Sequence, residues 1–562
     1  MHHFSPLESS RLNIHKILIQ KQFVPEEMPF LKKDSLYLFN TPKSLGTLII
    51  IKLCRKKNEL RVITLLFVPE DGYPCFKEKV MFRRNFINLA AFAFSAPAFA
   101  QIYGDKSDDY DLIVVGSGAA GLCAAISAFD HGVRKIVVLE KLPILGGTSA
   151  ISGGAVAVSQ TDMQKRMGIS DTDEEFFEDL IREGGYRNDP KLVEIYITEV
   201  RKQFEWLGNC GIHPSNIMAA AGMSKPRSHM FNPNQMMNFL LDEVSRRKIE
   251  IKTGTRAVEL LQKGLRICGV RAVSRKSSVE FCSKYGVVLA TGGFARNQAL
   301  MNKFAPHMFG VDVVSGIGSE GDGILMAVES GGQVAGGETV TASFGFAQNP
   351  STVRDFSTIF YSGAIILNRS GKRFVDESLP YKSLGEAFLN TKEACAYILF
   401  DESIRKAQMR RRPVDKAMWS PYDNGQEPGY CFRADTVKAV ADKAGLNPIK
   451  VAEEVARYNA YVSKGRDPEF GRTSLSSGYG QLKKINVPPF YIMPAIAVVP
   501  GTYCGLKVDE QTRVLRTTDD PIEGLFAAGE IMGGFHGKNF VTGTGLGKAL
   551  AFGRVAGKNA SL

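Results

Sequence analysis

Asp111-Leu-Ile-Val-Val-Gly116-Ser-Gly118-Ala-Ala-Gly121, followed 19 residues later by Glu140, is the stretch from which the fold is read. The apolar run Leu112 to Val115 is the pattern of a parallel strand buried on both faces. Three glycines follow at Gly-x-Gly-x-x-Gly spacing, and small residues then continue as a helix, Leu122 to Phe129. A second apolar strand, Lys135 to Leu139, ends at Glu140. In this order each part has a physical task. Gly116 allows the tight turn, Gly118 lets the backbone approach a pyrophosphate, and Gly121 lets the helix pack on the strand. The helix N-terminus, with its free N–H groups and partial positive charge, faces the phosphates, and the carboxylate of Glu140 accepts from a ribose. The glycine motif alone is weak evidence; strand, turn, helix, strand and acid in sequence point to dinucleotide binding.

Working outward, the same glycine-rich texture recurs three times. Lys141-Leu-Pro-Ile-Leu-Gly146-Gly147-Thr148-Ser149-Ala-Ile-Ser152-Gly153-Gly154 is a loop whose N–H and hydroxyl groups suit further polar cofactor contacts. Tyr285 to Phe294 reads as a buried strand ending in the turn Ala290-Thr291-Gly292-Gly293, and Gly321-Asp322-Gly323 precedes another helix of small residues. From Pro500 the pattern resumes with Ala527-Ala528-Gly529-Glu530 and with His536 to Gly547. Between these pieces, residues 173–208 read as helical, with Trp206 in the core, and strands are expected at Ile249–Thr253, Ala257–Leu261 and Cys268–Val273. Residues 336–487 differ in texture, with short strands, aromatic residues and long polar loops. The expected class is α/β: a Rossmann-type domain, discontinuous in sequence (101–335 and 488–562), with an inserted α+β capping domain at 336–487.

The net charge is +12, but residues 1–100 carry +7 of it, so the high pI says little about nucleic acid. Residues 81–100 have the parts of an export signal: Arg83-Arg84-Asn-Phe86-Ile87, an apolar run of about a dozen residues, and Ala98-Phe-Ala100. That run is short of the roughly 20 residues a membrane span needs. The paired arginines resemble a twin-arginine signal, which exports proteins already folded around a cofactor. The expectation is a periplasmic protein whose mature chain begins near Gln101, with residues 1–80 a non-native upstream extension. The nine cysteines are scattered, without a Cys-x-x-Cys, which excludes a haem attachment, zinc site or redox pair of that kind and does not read as a disulfide framework.

Taken together, the Gly116 fingerprint, Glu140-Lys141, Gly146 to Ser149 with Ser152-Gly153-Gly154, Ala290 to Gly293, Gly321-Asp322-Gly323, Gly371-Lys-Arg-Phe-Val-Asp-Glu377, Ala527 to Glu530 and Phe552-Gly553-Arg554 are specific. Over about residues 108–560 the chain resembles the flavoprotein family of soluble fumarate reductases, urocanate reductases and 3-ketosteroid dehydrogenases. The resemblance implies FAD, with contacts at Ala120, Glu140, Thr148, Ser149, Gly154, Ala290, Asp322, Glu530, Gly545 and Leu546. Lys141, Gly147, Gly153, Thr291 and Gly292 join them from the same motifs. No histidine stands in the 146–154 loop, where succinate dehydrogenases carry the covalent link, so non-covalent FAD is expected. No second dinucleotide fingerprint and no haem motif occurs. Electrons are therefore expected to pass to or from a separate cytochrome c or quinol-linked protein.

The resemblance also implies the chemistry. Hydride exchange at flavin N5 makes or breaks an activated C=C bond, and the neighbouring carbon needs a proton. Tyr381, four residues after Glu377, stands where fumarate reductases place their proton-delivering arginine and where 3-ketosteroid dehydrogenases place a basic tyrosine in Glu-x-x-Pro-Tyr. His536 matches a carboxylate-binding histidine. Phe360 and Phe540 stand at the positions of two carboxylate-clamping arginines. With Gly154, Tyr361 and Gly543 they are expected to line a more apolar pocket that suits a larger substrate with at most one carboxylate. Arg410-Arg411-Arg412 reads as a solvated face. Three functions stay open: an exported reductase of an enoate or enone serving anaerobic respiration, a dehydrogenase running the reverse reaction, and a non-catalytic flavin electron-transfer protein.

Overall fold

The computed structural model describes residues 36–40, 48–56, 59–67 and 107–562, apart from 221, 275–276, 338–339, 351–354 and 477. The chain divides into Met1–Ile102 and Tyr103–Leu562. In the first unit Leu36–Asn40, Leu48–Lys56 and Glu59–Phe67 form an antiparallel three-stranded sheet. Leu48–Lys56 and Glu59–Phe67 pair with each other along their whole length. The export signal expected at 81–100 lies outside the described residues.

The second unit is built on a six-stranded sheet in the order Glu250–Lys252, Ile136–Leu139, Leu112–Val115, Val287–Leu289, Pro521–Ala527, Arg513–Leu515. All neighbours are parallel except the last pair. Leu112 to Val115 are buried throughout, as are Ile136 to Leu139, which is why these strands show no polar alternation. Each side chain of this kind contributes roughly 1.5–3 kcal/mol on burial. The helix Ala119–Asp130 covers the sheet, and the closing helix Thr544–Asn559 packs along it. Contact is close enough that a Cβ on Gly553 would come within 2.5 Å of the Ala120 carbonyl. The sheet needs residues 513–527 to be complete, so the dinucleotide fold is discontinuous in sequence. A separate four-stranded sheet takes Arg256–Lys263, Arg266–Val273, Ser278–Ser283 and Ser107–Tyr110.

The helical stretch expected over 173–208 is two helices, Asp173–Glu183 and Pro190–Asn209. Gly185 and Tyr186 take left-handed backbone angles between them, and Asp189 and Pro190 start the second helix. Trp206 is half-buried against Phe239 at the edge of the core.

The inserted layer has its own core, centred on Trp419, Phe400, Tyr491, Tyr458 and Ile398. Its antiparallel sheet runs Ser343–Ala347, Phe490–Val498, Ala396–Asp401, Ile365–Leu367, with Phe432–Ala434 also on Phe490–Val498. The strand Phe490–Val498, read from sequence as part of the C-terminal return, is thus the central strand of this layer. Its alternation is erased because both of its faces are covered.

A buried ionic cluster fixes the segment entering the site. Glu377 accepts from Arg373 Nε and Nη2 at 2.8 and 2.7 Å, from Arg472 Nη1 at 3.1 Å and from Ile366 N at 3.2 Å. Arg472 also donates to the carbonyls of Phe360 and Ala364, and Arg373 to Asp467. Among the described residues no helix is long and apolar enough to cross a membrane, and no group of His, Cys, Asp or Glu is arranged to hold a metal ion. The cysteines described are free.

Candidate active site

One cavity is bounded at one end by the Gly116 turn and at the other by the inserted layer. At the first end, Gly116 has φ +112°, and a Cβ there would stand 2.3 Å from the Ala290 carbonyl; only glycine fits. Gly118 caps the helix Ala119–Asp130 without a side chain over its N-terminus. Glu140 is fixed by Ser117, whose N and Oγ donate to Oε2 at 3.1 and 2.6 Å, and by Leu142 N, which donates to Oε1 at 2.9 Å. A carboxylate has about four acceptor positions, so room remains for a ligand hydroxyl. Ser149 Oγ accepts from Ala119 N at 3.1 Å, and Thr148 Oγ1 from Gly316 N at 3.1 Å. Asp322 is held by Lys141 at 2.8 Å and by Arg256.

Of the residues expected to hold a cofactor, Gly116, Gly118, Ala120, Glu140, Lys141, Gly147, Thr148, Ser149, Gly153, Gly154, Ala290, Thr291, Gly292, Asp322, Glu530, Gly545 and Leu546 all line this cavity. Gly121 does not: a Cβ there would lie 1.9 Å from the Gly116 carbonyl, so its task is packing under the turn. FAD fits this end. Thr291 Oγ1 is buried on the wall without a hydrogen-bond partner, and nothing stands within 4 Å of a Cβ placed on Gly147.

At the other end, Tyr381 opens the helix Tyr381–Thr391 and faces the cavity. Its hydroxyl accepts from Thr542 Oγ1 at 3.2 Å, and its ring meets Phe356 edge to face at 5.3 Å. Burial pushes the phenol up to about 12, outweighing the Thr542 hydrogen bond and the Arg412 charge that pull it down. The lowering by neighbouring dipoles that a base requires is therefore overcome; the group is held protonated. His536 is buried among Tyr503, Phe535 and Phe540. Burial, together with the charges of Lys548 and Lys382, holds its imidazole well below the usual range, so it is neutral. Tyr361 lines the cavity but spends its hydroxyl on the Leu379 carbonyl at 2.7 Å. Gly154, Phe540 and Gly543 also line it.

Phe360 is a correction. It is fully buried in the inserted layer between Phe344 and Tyr361 and does not reach the cavity. Arg472 takes its carbonyl and turns this segment into the core. The arginine run is a second correction. Only Arg410 is exposed. Arg411 donates to Thr358 Oγ1 at 3.0 Å and lies over the Tyr361 ring, and Arg412 pairs with Asp415 and lines the cavity. Sequence reasoning also missed Lys382, Tyr503, Thr542, Phe356 and Lys548 on the wall. Lys382 had a readable signal, since it directly follows Tyr381.

The comparisons agree with this geometry. Residues 111–546 match the family described as FAD binding domain. The chain is 31% identical over 486 residues to a fumarate reductase (cytochrome) of Shewanella frigidimarina, covering 83% of this chain and 81% of that protein. It is 28% identical over 490 residues to a vinyl phenol reductase of Lactiplantibacillus plantarum, covering 81% and 97%. The solved open conformation of a flavocytochrome c3 fumarate reductase superposes with a TM-score of 0.68 at 27% identity, covering 88% of this chain and 84% of that one. Fold, cavity and kinship together place the chain in the FAD-binding-domain family, among the fumarate-reductase-like FAD-dependent oxidoreductases that act on CH–CH groups.

Proposed function

We propose that the protein reduces the activated C=C bond of an enoate or enone other than a dicarboxylate, with Tyr381 as proton donor. The observation that carries this is the Tyr381 phenol, facing the cavity and kept protonated by burial. FAD held non-covalently at the Gly116 end, against Glu140, Thr148 and Ser149, would supply hydride chemistry to one alkene carbon. Tyr381 gives its proton to the other carbon and is reprotonated from solvent between turnovers. Thr542 donates to the phenol oxygen, which leaves the phenol hydrogen free to point at the substrate and stabilises the transient phenolate. His536, being neutral, offers a hydrogen bond rather than a charge. Phe540, Tyr503 and Phe356 make the walls apolar and exclude water.

Purified protein given reduced viologen tests this reading. An aromatic enoate or enone should oxidise the dye, and fumarate should be a poor substrate. Phe540 in place of a clamping arginine costs roughly 30-fold or more in rate. Fumarate turnover equal to the best substrate found would sink the reading. The dehydrogenase direction draws support from Pro380-Tyr381, and there the same phenol would have to act as base, which requires it to lose the proton that burial holds on it.

The electron donor is proposed to be a separate cytochrome c or quinol-linked protein. Export is proposed to depend on Arg83-Arg84. Changing both to lysine should hold folded, yellow protein in the cytoplasm; unaltered export would reject that role.

A further inference from the structure

Lys382 is 3% exposed and lines the cavity one residue after Tyr381. Its Nζ makes one hydrogen bond, to the Thr341 carbonyl at 3.3 Å. The ammonium sits among three aromatic rings, 4.9 Å from the Tyr503 centroid, 5.8 Å from Phe540 and 6.0 Å from Tyr381. Among the described residues no carboxylate lies within ion-pair distance of it. The other buried lysine on the wall, Lys548, differs. It donates to the Met532 carbonyl at 2.7 Å, and the charge of Glu530 offsets its own. Lys382 has three donors, one long bond and, among the described residues, no counter-ion, in a cavity that takes a ligand. Ser343 Oγ, two residues along from Thr341, is also buried on this wall without a partner.

We propose that Lys382 is the specificity-determining cation of the substrate cavity, pairing with the single carboxylate of an aromatic 2-enoate whose ring lies among Tyr503, Phe540 and Phe356. The assignment rests on the reductase reading for the word substrate, and on Lys382 itself for the charge. A buried amine without a counter-ion is costly, and burial lowers Lys382 to about 7. An arriving carboxylate compensates that cost, whereas a neutral ester does not. Among the described residues the other cations on this wall are committed, Arg412 to Asp415 and the Phe356 carbonyl and Lys548 to the Met532 carbonyl beside Glu530, so a second carboxylate, as on fumarate, finds no free partner in them.

The test uses the FAD-loaded protein and reads ligand binding from the absorbance of bound FAD. The probes are 3-phenylpropanoate and its methyl ester, which resemble a reduced product and need no turnover. The acid should bind at least about tenfold more tightly than the ester at pH 6. Lys382→Met should weaken the acid by ~30-fold and move the ester less than about threefold, while Lys382→Arg keeps most of the acid's affinity. In the wild type the acid's affinity should fall above pH 7, approaching tenfold per unit, and the ester's should stay level. The titratable groups facing Lys382 are Tyr381, Tyr503 and His536. The two phenols are raised by burial and the imidazole is neutral, so none of them changes charge between pH 6 and 9. Lys548, also lowered to about 7, titrates in the same range, so the break must vanish in Lys382→Met to be credited to Lys382. Equal binding of acid and ester by the wild type, or a break that survives in the methionine variant, overturns the proposal. If the methionine variant loses FAD, Lys382→Arg decides: its guanidinium keeps its charge over this range, so the acid's pH break must vanish in that variant, and a break that survives there overturns the proposal. Lys382-dependent binding of the acid without reduction of cinnamate by the viologen-reduced enzyme would leave this assignment standing and remove the reductase reading.

Discussion

At the scale of single residues, the proposed chemistry rests on Tyr381 and its two contacts. The sequence names the tyrosine, but its protonation is set by what surrounds it: Phe356 and the closing loop take water away from the phenol, and Thr542 bonds its oxygen. Tyr381→Phe removes only the hydroxyl. Turnover of the best substrate should fall about 10²–10⁴-fold, with FAD content and dye-dependent flavin reduction normal. With the phenol raised to about 12, donation persists as pH rises, so reduction of a neutral enone should show no alkaline limb between pH 6 and 10. A tenfold loss per unit above pH 8 would assign the proton to another acid. Tyr361, the other tyrosine expected to line the pocket, is a poor substitute because its hydroxyl is already spent on a backbone carbonyl. The same limit explains Phe360 and the arginine run. A one-dimensional pattern shows which residue stands at a position, but whether it faces the cavity is decided by partners far away in sequence, here Arg472 and Asp415.

Elements were legible where one local rule ruled. The first strand, turn and helix follow from apolar continuity and glycine spacing, and both strands ahead of Glu140 lie within a residue of the expected bounds. Phe490–Val498 was misplaced because a strand covered on both faces carries no sign of which sheet it joins. Glu377, read from sequence only as part of a family motif, is an anchor: four residues before Tyr381 it neutralises two buried arginines. Glu377→Ala leaves Arg472 without its buried carboxylate and Arg373 with Asp467 alone. Loss of one partner from such a cluster costs roughly 3–5 kcal/mol. Urea unfolding should show a loss of that order. A shift under 1 kcal/mol would mean that the cluster relaxes into water.

For the whole molecule, sequence gave the discontinuity but not the way the two layers meet. The cofactor end is described by motifs, which is why nearly all of its expected residues reach the cavity. The substrate end is assembled from Ser343, Phe346, Phe356, Thr358, Tyr361, Tyr381, Lys382, Arg412, Tyr503, His536, Phe540, Thr542 and Gly543, whose meeting no local pattern announces. The loop 146–154 carries no histidine, so acid precipitation should release the yellow colour into the supernatant; flavin left on the pellet would show a covalent link. The bond between Thr542 and Tyr381 has a consequence in time. Tyr381 belongs to the inserted layer and Thr542 to the loop before the closing helix, so the contact exists only while those two surfaces touch. On the proposed mechanism this bond is an interlock: any parting of the layers breaks it, so proton delivery from Tyr381 is supported by Thr542 only while the visitor is enclosed.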